Sequence, residues 1–598
     1  MGAIVPRKGV TLSLIPMPAT TVFGLLVEAA ERYGDAPALY QPTGGEPGYR
    51  VYSWSHYRRA AEEIAAGLQR IGIRKGDVVA LASETRAELY LADLGVMAAG
   101  GIAAALYTSY PAAEEAGVLR ACDARAVFIE DAKALRRLRQ AADPPPEVQW
   151  ILLTGEAEGA LSLEELRRLG RQALSEDPEL RQRMQADVSP SDPAILYLTS
   201  GATGEPKMAL VSHQALVANI QMGPPALHLD ARDSMLAFLP AAHITQRVVV
   251  ELLPILCGVP VWFSESLMRL PEELRSVEPT IFVAPPRLWE RVHASIRVEL
   301  AKRPAWARRL FQAAFELGLD ATRRQQAGQP LPAWRGALLG LADRILFRRL
   351  RSRFGRRMRV CGSGSAPLGK GLAEFYMAIG LPLIEGYGLT EGGVVVMNPL
   401  EAPRPGSIGR PLPGVEVRLA EDGELLLRSP SLFSGYYRDP AATAQVLRDG
   451  WLHTGDLAEI DADGYVHITG RKKELIVASN GSKIFPARIE ALFRMEPVVS
   501  HVLVVGDRRP YIAALVTVNT GVAESLQAPL GEAVKEAVER VNRCLAPFEQ
   551  IRKFRVLERD FSIEKGELTP TLKLRRSRIL ENFRDVVREL YGGKDQPG

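Results

Sequence analysis

The sequence predicts an α/β fold, with a large N-terminal domain and a smaller α+β C-terminal domain. Three observations carry this. The chain has 598 residues, too many for one hydrophobic core. Strand-like and helix-like periodicities alternate over residues 21–198, the pattern of a parallel sheet with crossover helices. Beyond Gly423 the texture changes to short strands separated by turns, as in a compact separate unit.

Residues 21–33 read as a helix, with Phe23, Leu25, Leu26, Ala29 and Ala30 at helical spacing. Residues 54–71 give a second, striped by Ile64, Leu68 and Ile71. Gly76 and Asp77 turn the chain into a buried strand at 78–81. Residues 89–99 return as a helix, and 127–129 and 151–153 read as strands around the loop 143–146. The charged stretch 161–187 reads as a helical surface excursion. Residues 194–198 form a strand feeding a Gly/Thr-rich turn. In the C-terminal part, residues 424–428, 465–469, 475–477, 489–493, 502–505 and 512–518 read as short ordered segments of an α+β unit. The domain bounds that follow are 1–470, a hinge at 471–474, and 475–598.

Composition excludes several classes. Apolar residues are 47% and charged residues 24%, ordinary for a globular chain. Net charge is only +4, so nothing marks a nucleic-acid binder. Cys122, Cys257, Cys361 and Cys544 are far apart and form no CxxC, which points to a reducing cytosol and no structural zinc. The first residues lack a signal peptide's apolar core. The longest apolar runs, 94–106 and 252–263, are too short for a bilayer. A cytoplasmic protein is expected, at most peripheral on a membrane. Oligomeric state is not written in the sequence.

Residues 287–359 hold 18 Lys or Arg against five Asp or Glu, a local excess of 13 positive charges. They read as several helices, with Trp306, Phe311, Phe315, Trp334 and Phe347 among the arginines. One reading is a solvated face over buried aromatics. The other is a docking surface for anionic headgroups, with the run from Arg344 to Arg359 as its contact.

The strongest local signal is LTSGATGEPK, from Leu198 to Lys207. Glycines let backbone N–H groups approach a polyphosphate, and hydroxyls and a lysine add donors and charge. It is not a P-loop, because no GK[ST] ends it. Gly364 to Lys370 has the GxxxxGK spacing, but Gly371 stands where Ser or Thr must bind Mg²⁺ and Pro367 lies inside the loop. Further along come EGYGLTE (Glu385 to Glu391), LHTGD (Leu452 to Asp456), GRKKE (Gly470 to Glu474) and GELTPTLK (Gly566 to Lys573).

In this order the motifs resemble the adenylate-forming superfamily of acyl-CoA synthetases, luciferases and peptide-synthetase adenylation domains. The wording is most similar to AMP-forming long-chain fatty acyl-CoA synthetases, over about residues 20–580 by motif placement. The resemblance implies α/β subdomains and a distorted β-barrel part in the large domain, with a small mobile C-terminal domain. It implies ATP, Mg²⁺, CoA and a fatty acid as cofactor and substrates. Thr199, Ser200, Gly201, Thr203, Gly204 and Lys207 match the phosphate loop. Gly364, Ser365, Ala366 and Pro367 match the segment beside the adenine. Glu385, Gly386, Tyr387 and Gly388 belong to the nucleotide turn, with Tyr387 against the base. Thr390 matches the α-phosphate contact, and Glu391 the Mg²⁺ ligand. Asp456 matches the ribose acceptor and Arg471 the junction arginine. Lys473 matches the hinge, and Lys573 the catalytic lysine of the small domain. Ser479, Asn480 and Gly481 match the CoA-tunnel loop, and His243 a position near the acyl carboxylate.

Two residues depart from the usual SGTTGxPKG loop. Ala202 removes a hydroxyl, and Met208 adds bulk where a backbone bend is expected. The implied reaction is activation of a carboxylate as acyl-adenylate, then transfer to CoA. The alternatives are a fatty acyl-AMP ligase that loads a carrier protein and a nucleotide- or acyl-binding pseudoenzyme. Each site residue also has a structural alternative: Tyr387 as a core aromatic, Asp456 and Arg471 as an ion pair, Lys573 as a surface cation.

Overall fold

The computed structural model describes residues 19–44, 48–141, 143, 147–199, 207–523, 529–569 and 572–592. Helix Val22–Tyr33 begins where the Thr21 hydroxyl accepts from the Gly24 N–H. Helix Trp54–Arg70 follows with its own Ser53 cap. Strands Val78–Ala82, Ile102–Ala105, Ala126–Ile129 and Gln149–Leu152 then pair in parallel; the apolar runs predict all but Ile102–Ala105. They form an eight-stranded sheet, closed at its other end by Pro193–Thr199, Lys207–Ser212 and Gly435–Tyr436.

The stretch 161–187 lies at the surface, but its first helix also packs one face on the fold. Helix Leu163–Glu176 packs on Trp54–Arg70, with Leu166 fully buried. A Cβ at Gly170 would fall 1.8 Å from the Glu63 carbonyl oxygen, so the two backbones touch there. Arg167 and Arg171 pair with the buried Glu63 from the same helix. Part of its charge, Arg167, Arg171 and Arg181, is engaged at this interface.

A nine-stranded sheet forms the second large layer. Its order runs from Arg410–Pro411 through Gly393–Met397, Leu383–Leu389, Val360–Ser363, Ile281–Ala284, Met235–Ala237 and Val261–Phe263 to Pro37–Pro42 and Tyr49–Ser53. The part expected as a distorted barrel is a five-stranded antiparallel sheet, bulged where Glu424–Arg428 and Val466–Arg471 meet Trp451–Ile460.

A single 3₁₀ turn, Lys472–Glu474, joins this sheet to the C-terminal unit. That unit has its own sheet, Val499–Val505, Ile512–Val518 and Ile551–Val556, with a separate apolar cluster on each face. Residues 489–493 are helical, in Pro486–Leu492 and the following 3₁₀ turn, because Pro486 opens a helix at its first position.

The basic segment is mostly helical: Pro286–Ala301, Ala305–Gln326, Ala333–Ala342, a π turn Asp343–Phe347 and Arg348–Arg351. Phe347 is buried and Phe311 and Phe315 half-buried, but Trp306 and Trp334 are 70% and 62% exposed. The run from Arg344 to Arg359 is mixed. Arg351 pairs with Asp343, Arg353 with Glu299, Arg356 with Glu278 and Arg359 with Asp233, so its second half is tied to the fold. No helix among the described residues is long and apolar enough to cross a membrane.

Candidate active site

One cavity of ≈2800 Å³ lies where both large sheets, the bulged sheet and the C-terminal unit meet. Strand Val360–Ser363 delivers Gly364, Ser365, Ala366 and Pro367 to its wall. Ser365 has φ 72°, a left-handed conformation costly for a residue with a Cβ. Two contacts hold it. Ser365 Oγ lies 3.0 Å from His243 Nε2, and the Leu368 N–H donates to Glu385 Oε1 at 2.9 Å.

The His243 tautomer follows from its partners. The Thr245 N–H donates to Nδ1 at 3.1 Å, so the ring proton sits on Nε2 and points at Ser365 Oγ. Burial, then the Lys573 ammonium, lowers His243 to about 3, so it is neutral at ordinary pH. Glu385 is buried, and burial pushes its carboxyl to about 7 despite the Leu368 N–H and the Arg494 charge.

Strand Leu383–Leu389 carries Gly386, Tyr387 and Gly388 along the cavity and pairs with Gly393–Met397. A Cβ at Gly388 would lie 2.5 Å from the Gly393 carbonyl oxygen, so this close crossing needs glycine. Asn219 clamps the second strand, accepting from the Val394 N–H at 3.0 Å and donating to its carbonyl at 2.7 Å.

The Tyr387 hydroxyl donates to Asp456 Oδ2 at 2.6 Å, and Arg471 Nε sits 2.9 Å from Asp456 Oδ1. The pair is a register effect: Asp456 and Arg471 are opposed across strands Trp451–Ile460 and Val466–Arg471. Thr390 and Glu391 follow at the turn and line the same cavity.

Tyr436 is a site residue that the sequence reading missed. Its hydroxyl donates to Glu391 Oε1 at 2.6 Å, and Lys207 Nζ lies 4.7 Å from its ring centroid. It arrives through strand Gly435–Tyr436, which pairs with the strand carrying Lys207. The sequence offered only an aromatic pair after Gly435, with nothing to link it to residue 391.

Thr199 ends its strand opposite Lys207; Ser200, Gly201, Ala202, Thr203 and Gly204 lie outside the described residues. Met208 does not occupy a bend. It stands in regular antiparallel register with Leu198, and its side chain packs on the sheet's apolar cluster.

Lys573 comes from the C-terminal unit. Its carbonyl accepts from the Thr569 N–H at 2.8 Å, and its N–H donates to Thr569 Oγ1 at 3.0 Å. The side chain opens into the water-accessible cavity beside Arg471 and Asp456. Desolvation, then Arg471, against the pull of Asp456, lowers its ammonium to about 8. Arg494 to Glu290 (2.8 Å) and Arg575 to Glu114 (3.7 Å) hold the unit against the large domain in this pose. Lys473 is exposed at the cavity edge. Ser479, Asn480 and Gly481 are exposed and not part of the described cavity wall.

No cluster of three or more His, Cys, Asp or Glu could hold a metal by itself among the described residues. Glu391 alone fits Mg²⁺, which takes most of its ligands from substrate phosphates and water.

This geometry, a hydroxyl–carboxylate–guanidinium group facing two lysines across a domain junction, defines a nucleotide-handling site. The chain belongs to the AMP-binding enzymes: that family matches residues 26–437, and the AMP-binding enzyme C-terminal domain matches 473–595. It is 34% identical to the long-chain-fatty-acid–CoA ligase FadD15 of Mycobacterium tuberculosis, over 93% of this chain and 96% of that protein. It is 27% identical to the long-chain-fatty-acid–CoA ligase ACSBG2 of Xenopus laevis, over 97% and 85% of the two chains. Its fold is similar to that of the anthranilate CoA ligase AuaEII in complex with anthranoyl-AMP (TM-score 0.74, 21% identity, 95% and 98% covered). It is also similar to a Mycobacterium tuberculosis fatty acyl CoA synthetase (TM-score 0.61, 21% identity, 95% and 99% covered).

Proposed function

We propose that this protein is a long-chain fatty acid–CoA ligase. A fatty carboxylate oxygen attacks the α-phosphorus of ATP, the α–β bridging bond breaks, and pyrophosphate leaves with its electron pair. The CoA thiol then attacks the acyl carbonyl of the adenylate, loses its proton, and AMP departs. The observation that carries this reading is the meeting of Lys207, Lys573, Glu391 and the Tyr387–Asp456–Arg471 group in one cavity. Its remaining wall includes Leu227, Val248, Leu253, Ile281 and Val283, suited to an acyl chain.

Each residue has a role fitted to its state. Lys207, with Thr199 and the loop Ser200, Gly201, Thr203 and Gly204, binds the polyphosphate. Lys573 sets the carboxylate against the α-phosphate and offsets the charge that builds there. Asp456, held by Tyr387 and Arg471, accepts from the ribose hydroxyls. Neutral His243 holds Ser365 and the adenine-side loop rather than exchanging a proton. Bound through Glu391, Mg²⁺ supplies charge neutralisation on the phosphates. The small domain turns about Lys473 between the half-reactions and brings Ser479, Asn480 and Gly481 to the thiol channel. The working units are 1–470, the hinge 471–474, and 475–598. The protein works in the cytoplasm, with peripheral contact to a membrane surface through cations near Arg344.

The test is ATP-dependent pyrophosphate release with acids from acetate to long-chain, with and without CoA. Thioester formation with long-chain acids and CoA is expected. Release without any CoA thioester, and transfer only to a carrier protein, would replace this reading with the acyl-AMP ligase one. No release with any acid would leave a binding protein.

A further inference from the structure

The segment between the cavity and strand Val360–Ser363 carries a row of exposed large apolar side chains. On Ala333–Ala342 and the π turn Asp343–Phe347, Trp334, Leu338, Leu341 and Ile345 recur at spacings of four and three. They form one stripe opposite the buried Leu339 and Phe347, and each is 49–62% exposed. The preceding helix, Ala305–Gln326, adds exposed Trp306 and Leu310 near its start. The helices run antiparallel: Arg335 pairs with Asp320, and Phe311 meets Phe347 edge-on at 6.4 Å. The stripes therefore belong to one helical hairpin.

Cations border them. Lys302, Arg303, Arg308, Arg309, Arg344, Arg348 and Arg349 are exposed and make no ion pair within 4 Å among the described residues. The arginines that do pair (Arg335, Arg351, Arg353, Arg356 and Arg359) serve the fold instead. An amphipathic face with exposed Trp and Leu, rimmed by unpaired cations, matches a helix lying in the headgroup region of an anionic bilayer.

We propose that this hairpin docks on an anionic lipid bilayer and inserts Trp306, Leu310, Trp334, Leu338, Leu341 and Ile345 into its interface. This deepens the peripheral-contact reading above, which needs only the cations. Charge decides against other occupants. A second copy would set cations against cations across the contact. The chain's own residues 1–18 carry Arg7 and Lys8 and no acidic residue. Helix Pro286–Ala301 ends at this face and lines the catalytic cavity at its other end through Arg287, Glu290, Arg291 and Ala294. Its 16 residues span about 24 Å. Docking thus places the cavity within one helix length of the phase in which long-chain acids dissolve.

The experiment compares flotation of the full chain with phosphatidylcholine vesicles with and without phosphatidylglycerol, at low and high salt. The variants are Leu338→Ser/Leu341→Ser/Ile345→Ser, Arg344→Gln/Arg348→Gln/Arg349→Gln and Trp306→Phe/Trp334→Phe. Wild type should bind the anionic vesicles with a blue shift in tryptophan emission. The shift should vanish in the tryptophan variant. The apolar variant should bind at least tenfold more weakly, and the arginine variant should bind more weakly with a shallower salt dependence. Melting and pyrophosphate release from detergent-dispersed acid should match wild type in all, since these side chains face away from the core and cavity. If salt abolishes binding but the apolar variant binds like wild type, the electrostatic contact stands and insertion is wrong. If wild type ignores vesicles, both readings fall. A dimer in light scattering that the apolar variant dissolves would then assign the face to a second copy.

Discussion

Lys573 titrates within reach of ordinary assay conditions, and this gives the sharpest test of its role. Its ammonium sits at about 8, lowered first by desolvation and then by Arg471. The charged form is the one that can offset phosphate charge, so adenylation should fall as pH rises through that value. From about pH 7 to about pH 9 the ammonium fraction of such a group drops from roughly nine-tenths to roughly one-tenth, a roughly tenfold loss. The parameter to read is kcat/KM for ATP in pyrophosphate release, because it reports the free enzyme and leaves out the CoA thiol. Lys573→Arg should keep some activity and lose this alkaline limb, since a guanidinium stays charged. Lys573→Ala should cut adenylation by on the order of 10²-fold or more, and spare thioester formation from supplied acyl-AMP. An alkaline limb unchanged in Lys573→Arg, or equal damage to both half-reactions from Lys573→Ala, would refute the reasoning.

Tyr436→Phe removes the hydroxyl that holds Glu391 but keeps the ring beneath Lys207. A hydrogen bond to a charged group contributes about 1.5–3 kcal/mol, so kcat/KM for adenylation should fall by roughly 10- to 150-fold, with a larger loss for Glu391→Gln; wild-type rates would place Tyr436 outside the machinery. Glu385 is raised to about 7 by burial, so its contribution to stability is full below its unfolded value near 4.5 and is lost as pH rises through about 7. Glu385→Gln should therefore raise Tm at alkaline pH and leave it little changed at acidic pH; a uniform shift would contradict this. Met208→Gly, in a regular strand packed on the core, should lower stability in urea by about 1–3 kcal/mol through lost packing and backbone entropy rather than improve ATP binding.

The sequence by itself determined what is local. Helix and strand periodicity placed Val22–Tyr33, Trp54–Arg70 and the strands Val78–Ala82, Ala126–Ile129 and Gln149–Leu152 to within a few residues, because each pattern repeats inside one element. Motif order singled out Asp456, Glu391 and Lys573 as candidates, and all three line the one cavity. Tertiary structure alone decided the rest. Tyr436 meets Glu391 across 45 residues, and Ser365 meets His243 across 122, distances over which no periodicity carries information. Likewise, the stripes of residues 163–174 and 334–345 both show an apolar face, and neither shows what covers it. One is buried on a neighbouring helix through Gly170, and the other is left facing solvent. Whether an apolar face becomes core or surface depends on which other element the chain brings to it, and that is settled only when the whole molecule packs.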